Sequence, residues 1–333
     1  MDETWQKIVR SQNSIRSKGI NAALFSAFFL GLAPVFGKQA IEHGVNPLGV
    51  VAMRTLFATL LLFVVMLIFQ RKYLYIYPAG LIGCLLAGAV NGTGSLFYYS
   101  ALGKIDAGLG QMLYMLYPFF VAFWMFLDRQ PISKVTILRL LIAVPAVVLL
   151  VQTGQTNSPE IWIGIIMMLV SSILYAFHLP INQRVLFDIP APTVTLYTLL
   201  AMSAVVVPTY LLSGQFQAPA EISASHSWVP VLMLTLVTFF SRLTLFTGVK
   251  HLGGLQTALL GLSELLVTLI LSQIWLQESL TWMQWFGASL MTLSIFLVAL
   301  EKSEPRHKGE GGLLGWLSSP KPFSTRDIFR TRD

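Results

Sequence analysis

Polar and charged residues are sparse along this chain and recur in short clusters. They leave ten apolar runs between them, at 20–41, 47–69, 77–101, 106–127, 135–152, 160–183, 191–212, 228–250, 253–276 and 280–300. Each run holds 18 or more residues, about the length at which a helix crosses the roughly 30 Å hydrocarbon core of a bilayer. Turn formers or charges mark the run ends. The pattern predicts an all-α membrane protein with ten transmembrane helices. Most connections are short; 213–227 is the long exception, polar and containing Pro219. Residues 1–19 are polar and mixed in charge, so no cleavable signal peptide is expected there. The stretch 301–333 is polar and predicts a disordered tail.

Composition agrees with this pattern. Hydrophobic residues make up 55% of the chain and charged residues 11%, against about 25% charged in a soluble domain. The single cysteine, Cys84, excludes an intramolecular disulfide, and the five histidines show no pair at metal-ligand spacing. No metal or cofactor is therefore expected. A phosphate-cradling loop is missing, and no Ser–His–Asp order sits on one side of the membrane, so an enzyme is not predicted. The +7 net charge first suggests a nucleic-acid partner, but its distribution argues otherwise. With the N-terminus inside, 18 of the 22 Lys and Arg fall on inside segments and span ends. Only Lys38 and Lys104 lie at outside ends, and Arg54 and Arg242 lie within spans. The excess of positive charge thus reads as topology. Both termini are predicted to be cytoplasmic, with no nucleic acid bound. The lack of a transit peptide favours a bacterial inner (plasma) membrane.

A shift of 145 residues aligns Ser26-Ala-Phe-Phe-Leu with Ser171-Ser-Ile-Leu-Tyr, and Pro47 with Pro192. A shift of 146 brings Lys104-Ile-Asp-Ala-Gly-Leu onto Lys250-His-Leu-Gly-Gly-Leu, Gln111 onto Thr257 and Pro118 onto Glu264. Five spans per repeat is an odd number, so two repeats in series must lie in opposite orientations. That inverted arrangement is common in secondary transporters, with the substrate site at the midplane between the halves. The expected units are 20–152 and 153–300, each of five transmembrane helices.

The chain resembles the drug/metabolite transporter superfamily, specifically its EamA-domain members. The resemblance rests on Leu32-Ala-Pro-Val-Phe-Gly-Lys38 followed by Pro47 and Arg54, on Tyr99-Ser-Ala-Leu-Gly103 leading into Ala107–Pro118, on Thr247–Glu264, and on Leu276-Gln-Glu-Ser-Leu280. One departure is Leu127-Asp-Arg-Gln-Pro131, which stands where the family usually has a Glu-containing turn. The resemblance implies a transporter, usually an exporter of metabolites. It also implies a central cavity lined by helices such as the third, fourth, sixth, eighth and ninth.

Helical spacing places polar stripes on four of these spans. The third carries Asn91, Ser95 and Tyr98; the sixth carries Ser171, Tyr175, His178 and Asn182; the eighth carries Thr235, Thr238 and Arg242. The ninth carries Thr257, Gly261, Glu264, Thr268 and Ser272. Small and hydroxyl residues also hold membrane helices together, so any one Ser, Thr or Gly reads first as glue. Glu264 and Arg242 are the sharper signal. A charge at the bilayer centre is unfavourable by about 2.5–3.5 kcal/mol on insertion scales, and mutual pairing is the simplest expectation. The pair then either ties two helices together or lines the cavity and responds to cargo. An arginine can bind a carboxylate or phosphate bidentately, and a glutamate can bind an amine or carry a proton.

Arg54 is readable as a snorkelling or a cavity charge, and His178 as a proton relay or a core residue. Gln111 and Tyr114 complete the candidate cavity set, and Tyr114 with its neighbouring tyrosines suits stacking or packing. Pro118 is a candidate hinge. The expected activity is secondary transport of a small polar metabolite, with an amino acid as one candidate. Protons are a candidate coupling ion and a homodimer a candidate assembly. An organic-anion or phosphorylated-metabolite exchanger is the alternative, and a non-transporting scaffold or sensor the alternative of another class.

Overall fold

The computed structural model describes residues 2–128, 159–217, 228–277 and 282–296, with single positions between 128 and 159. The predicted fifth span (135–152) and the tail (301–333) lie outside the described residues apart from those single positions. The described chain forms helices and turns, without a strand. They are α1 (Asp2–Glu42), α2 (Pro47–Phe69), α3 (Pro78–Leu102), α4 (Ala107–Tyr114), α5 (Tyr117–Leu127), α6 (Pro159–Val185), α7 (Ala191–Leu212), α8 (Trp228–Leu252), α9 (Gly254–Gly261), α10 (Ser263–Trp275) and α11 (Trp282–Phe296).

Among the described residues, eight helical stretches are long and apolar enough to cross a membrane. Their ends fall within a few residues of the sequence-predicted spans. Two differences stand out. The first helix runs back through the polar segment to Asp2. The fourth and ninth spans, expected to be continuous, are each broken into two helices, α4/α5 and α9/α10.

Helix starts follow local chemistry. Asn46 caps α2, its side chain accepting from Leu48 N at 2.8 Å, and Pro47 follows at the first helical position, where its missing N–H removes nothing the helix would use. Between α8 and α9, Gly253 adopts φ +91, a conformation that costs glycine little. The freed N–H of Gly254 then donates to Gln183 Oε1 at 2.6 Å.

Packing is across the two halves of the sequence. The helix α1 lies along α8 and α10, α3 along α6 and α7, and α2 along α7. Small residues permit the close approaches: a β-carbon on Gly31 would meet Glu264 O and Val267 Cβ, both at 2.7 Å. Hydroxyls join the helices, as in Ser26 Oγ to Ser241 O (3.0 Å), Thr59 Oγ1 with Ser203 Oγ (3.0 Å) and Thr268 Oγ1 to Gly31 O (2.8 Å). Such bonds are expected between helices in lipid. Large apolar side chains such as Phe25, Phe28, Ile68, Phe123, Ile166 and Ile274 point outward. That is the reverse of a soluble surface, and it fits an integral, multi-pass protein bathed in hydrocarbon.

Candidate functional site

The two broken spans meet at the middle of the protein, and their breaks have the same form. In the first, Leu116 N bonds to Leu113 O (3.2 Å) and Phe119 N to Leu116 O (3.0 Å). In the second, Leu262 N bonds to Leu259 O (3.4 Å) and Leu265 N to Leu262 O (3.2 Å). These are tight i→i−3 turns, which mid-helix often mark a hinge. Pro118 cannot donate to Tyr114 O, four residues back. Ser172 Oγ of α6 donates to that carbonyl instead, at 3.0 Å. Loss of the in-helix bond is thus made good by a neighbouring helix, as lipid surroundings require.

Beside the breaks lies a cavity of about 410 Å³, counting the open space at its mouth. Its lining includes Glu264, Arg242, Arg54, Asn91, Ser95, Tyr98, Gln111, Tyr114 and Tyr175, all expected from the sequence. Leu30, Ala33, Gly94, Tyr99 and Ser171 also line it. Leu30, Ala33 and Gly94 carry no polar signal, so composition and spacing could not find them. Tyr99 and Ser171 lay on or next to the polar stripes.

The carboxylate of Glu264 is 2% exposed. Gln111 Nε2 donates to its Oε2 at 3.3 Å, and Gln111 Oε1 accepts from the Tyr98 hydroxyl at 3.0 Å, so the amide is oriented as a relay. Tyr117 Oη lies 3.5 Å from Glu264 Oε1 and 3.0 Å from Ala258 O. Its single proton is better placed on the shorter bond. Tyr117 can reach this point because residue 261 is glycine: a β-carbon there would overlap the Tyr117 hydroxyl.

The expected direct pair between Glu264 and Arg242 does not form. Arg242 faces the Asn91 amide, whose oxygen, oriented toward the guanidinium, accepts from Nη1 at 3.2 Å and Nη2 at 3.3 Å. This orientation avoids opposing two donors. The Arg242 guanidinium also lies 5.6 Å from the centre of the Tyr175 ring. Arg54 does not snorkel outward. It is 5% exposed, donates to Thr238 Oγ1 (3.2 Å) and Ser95 Oγ (3.4 Å), and lies over the Tyr99 ring at 4.6 Å. The pairing expectation failed because each arginine found neutral acceptors and an aromatic face on its own side of the cavity.

Four tyrosines wall the space, Tyr98, Tyr99, Tyr114 and Tyr175, and Tyr117 packs against two of them. Tyr114 sits 5.0 Å from Tyr98, 5.6 Å from Tyr117 and 5.1 Å from Tyr175 between ring centres, and Tyr98 lies 5.2 Å from Tyr99. Edge and tilted contacts at these distances are favourable.

Three expected residues stand outside the lining. Thr238 supports Arg54 from behind. Thr257 bonds back to Gly253 O at 2.8 Å within its own helix. His178 is fully buried behind Tyr175, its Nδ1 hydrogen-bonded to Tyr175 O and its ring 4.6 Å from the Tyr175 ring. The proton-relay reading of His178 therefore loses its access to the cavity. Asn182 proves to be glue, with Oδ1 accepting from Thr198 of α7 at 3.3 Å. Lys38 caps α3, donating to Leu102 O (3.0 Å) and Ile105 O (3.1 Å). One strong pair went unforeseen: Arg184 meets Asp128 at 2.7 Å, both 3% exposed.

Comparison with known proteins follows the same lines. The chain matches the EamA-like transporter family twice, over residues 17–152 and 162–300. It is 25% identical over 222 residues to a protein of Synechocystis sp. described as an uncharacterized transporter; the matched stretch is 62% of this chain and 63% of the length of that relative. A solved protein crystal structure, 18% identical, superposes with a TM-score of 0.63 and covers 86% of this chain and 97% of that one. At that identity the likeness speaks for the fold alone.

Proposed function

The chain belongs to the EamA-like transporter family, and from that premise we propose that it is a secondary transporter working by alternating access. It exports a small polar metabolite, and an amino acid is the class the cavity suits best. The observation that carries this reading is the separation of opposite charges in one cavity. Arg242 and Glu264 both line it, yet each is held by neutral groups instead of the other. A cargo carboxylate at Arg242 and a cargo ammonium at Glu264 would each find a charged group whose neighbours are neutral. A structural ion pair would have closed on itself.

Ten spans in two inverted five-helix repeats, 20–152 and 153–300, supply the moving parts. Three observations support that organisation. The breaks recur at a shift of 146, with Leu113, Leu116 and Phe119 matched by Leu259, Leu262 and Leu265. Pro118 and Glu264 occupy equivalent places just after them. Packing also pairs up as a two-fold axis demands: α1 on α8 mirrors α6 on α3, and α1 on α10 mirrors α6 on α5. Discontinuous helices at matching points of the two halves are the usual address of a substrate site in such proteins. Among the acids of the described residues, Glu264 lines the cavity, which makes it the natural carrier of a coupled proton. The Lys and Arg distribution supports cytoplasmic termini, and a bacterial inner membrane is the proposed location.

The test is flux through purified protein in liposomes, preceded by a thermal-shift screen of metabolites, since a specific ligand stabilises the folded state. Glu264→Gln keeps the shape and the contact with Gln111. It is expected to lower transport by about tenfold or more, as loss of one buried charged contact would, with the melting temperature little changed. Normal transport with an unchanged pH dependence would refute a proton or ammonium at Glu264. Organic-anion exchange is the second reading, favoured by two guanidiniums against one carboxylate in the lining. It wins if anions without an amine compete for flux and amino acids do not.

A further inference from the structure

We propose that Arg54 and Arg242 form a double oxyanion site, so that the cargo is an amino compound carrying two acidic groups. This deepens the reading of the cavity as an amino-acid site and rests on it. Both guanidiniums are deeply buried, at 5% and 4% exposure. An arginine side chain stays charged in a protein, so both charges are present.

Neither charge meets a carboxylate at ion-pair distance among the described residues, where the Arg184–Asp128 pair does. Arg54 is held by two hydroxyls and Arg242 by an amide. Each has a tyrosine face beside it, which offsets part of the burial of a cation. Donors are left over at both: among the described residues, the Nε–H of Arg54 and the Nε–H of Arg242 lack partners, as do the hydroxyls of Tyr99 and Tyr175 against which they pack. Buried polar groups are ordinarily satisfied, and orphaned ones ask for a ligand.

The charge arithmetic then sets the cargo. Once a cargo ammonium faces Glu264, that carboxylate is answered. Two guanidiniums remain, surrounded by neutral groups. One cargo carboxylate answers one of them and leaves a buried, uncompensated cation, an unfavourable state. A second acidic group answers the other. Their anchoring differs as well. Arg54 comes from α2 and bonds to α8 and α3, whereas Arg242 comes from α8 and bonds to α3. The two positive heads thus approach the space from separate helices, as two separate acidic groups require.

L-glutamate and L-glutamine form the discriminating pair, because they share size and ammonium and differ by one acidic group. Binding of each is measured to the full chain in lipid nanodiscs, with melting and size-exclusion profiles as folding controls. The wild type is expected to bind glutamate at least about tenfold tighter than glutamine, the weight of roughly one buried charge-assisted contact. Arg54→Gln is expected to abolish that preference, and Arg54→Lys, which keeps the charge, to restore part of it. Equal binding of the two ligands overturns the proposal, as does a preference that survives in both Arg54→Gln and Arg242→Gln. If neither ligand binds while liposomes carry another solute, the double site is wrong and the transporter reading stands. If no solute is carried at all, both fall.

Discussion

Arg184 sits in the last turn of α6 and Asp128 just beyond the end of α5, and they join the two halves of the chain through a buried ion pair. Nε and Nη2 of Arg184 both donate to Asp128 Oδ2, at 3.1 and 2.7 Å. Replacing Asp128 by Ala leaves the guanidinium charged in a site that is 3% exposed. Two charges about 4 Å apart attract by roughly 4 kcal/mol at an effective dielectric of about 20. Removing one partner of a buried pair typically costs about 3–5 kcal/mol. The two figures agree, so Asp128→Ala should destabilise by about 3–5 kcal/mol. The double change Asp128→Leu with Arg184→Met removes both charges and should recover most of that loss. Unfolding in mixed detergent micelles, followed by tryptophan fluorescence, measures both. A loss below about 1 kcal/mol for Asp128→Ala would mean a pair as well solvated as a surface one. A double variant as unstable as the single would mean that the loss came from packing and not from the broken ion pair.

Two further predictions concern the helix breaks. Gly261→Ala should destabilise by about 1–3 kcal/mol, the usual penalty for overfilling a packed site, because the new methyl meets the Tyr117 hydroxyl. Adding Tyr117→Phe should recover part of this in a double-mutant cycle on chemical unfolding, and purely additive losses would contradict the contact. Ser172→Ala removes the donor that satisfies Tyr114 O beside Pro118. It should cost about 1–3 kcal/mol, and amide exchange should rise at the start of α5; unchanged stability would mean that another group serves that carbonyl.

Much of the architecture was legible in the chain because its cause is local. A backbone in hydrocarbon must satisfy its own hydrogen bonds, so an apolar run of sufficient length has little choice but to form a helix. That is why Pro47–Phe69 and Ala191–Leu212 match their predicted spans end to end. The candidate site was legible for a related reason. A polar residue in such a run is unfavourable facing lipid, so Glu264, Arg242, Asn91, Ser95 and Tyr175 had to face inward.

Which inward neighbour each would meet was not legible. That depends on the rotation of several helices about their axes and on how closely small residues let them approach. Gly261 admits the Tyr117 hydroxyl to the side of Glu264, and Asn91 reaches Arg242 first, so the expected pair became two separately held charges. The same rotations put His178 behind Tyr175 and turned Asp128, which read as an irregular turn, into the partner of Arg184. The sequence alone determined which residues leave the lipid; only the tertiary structure decided which of them touch, because contact between distant helices is a property of their mutual packing and is absent from the period of any one of them.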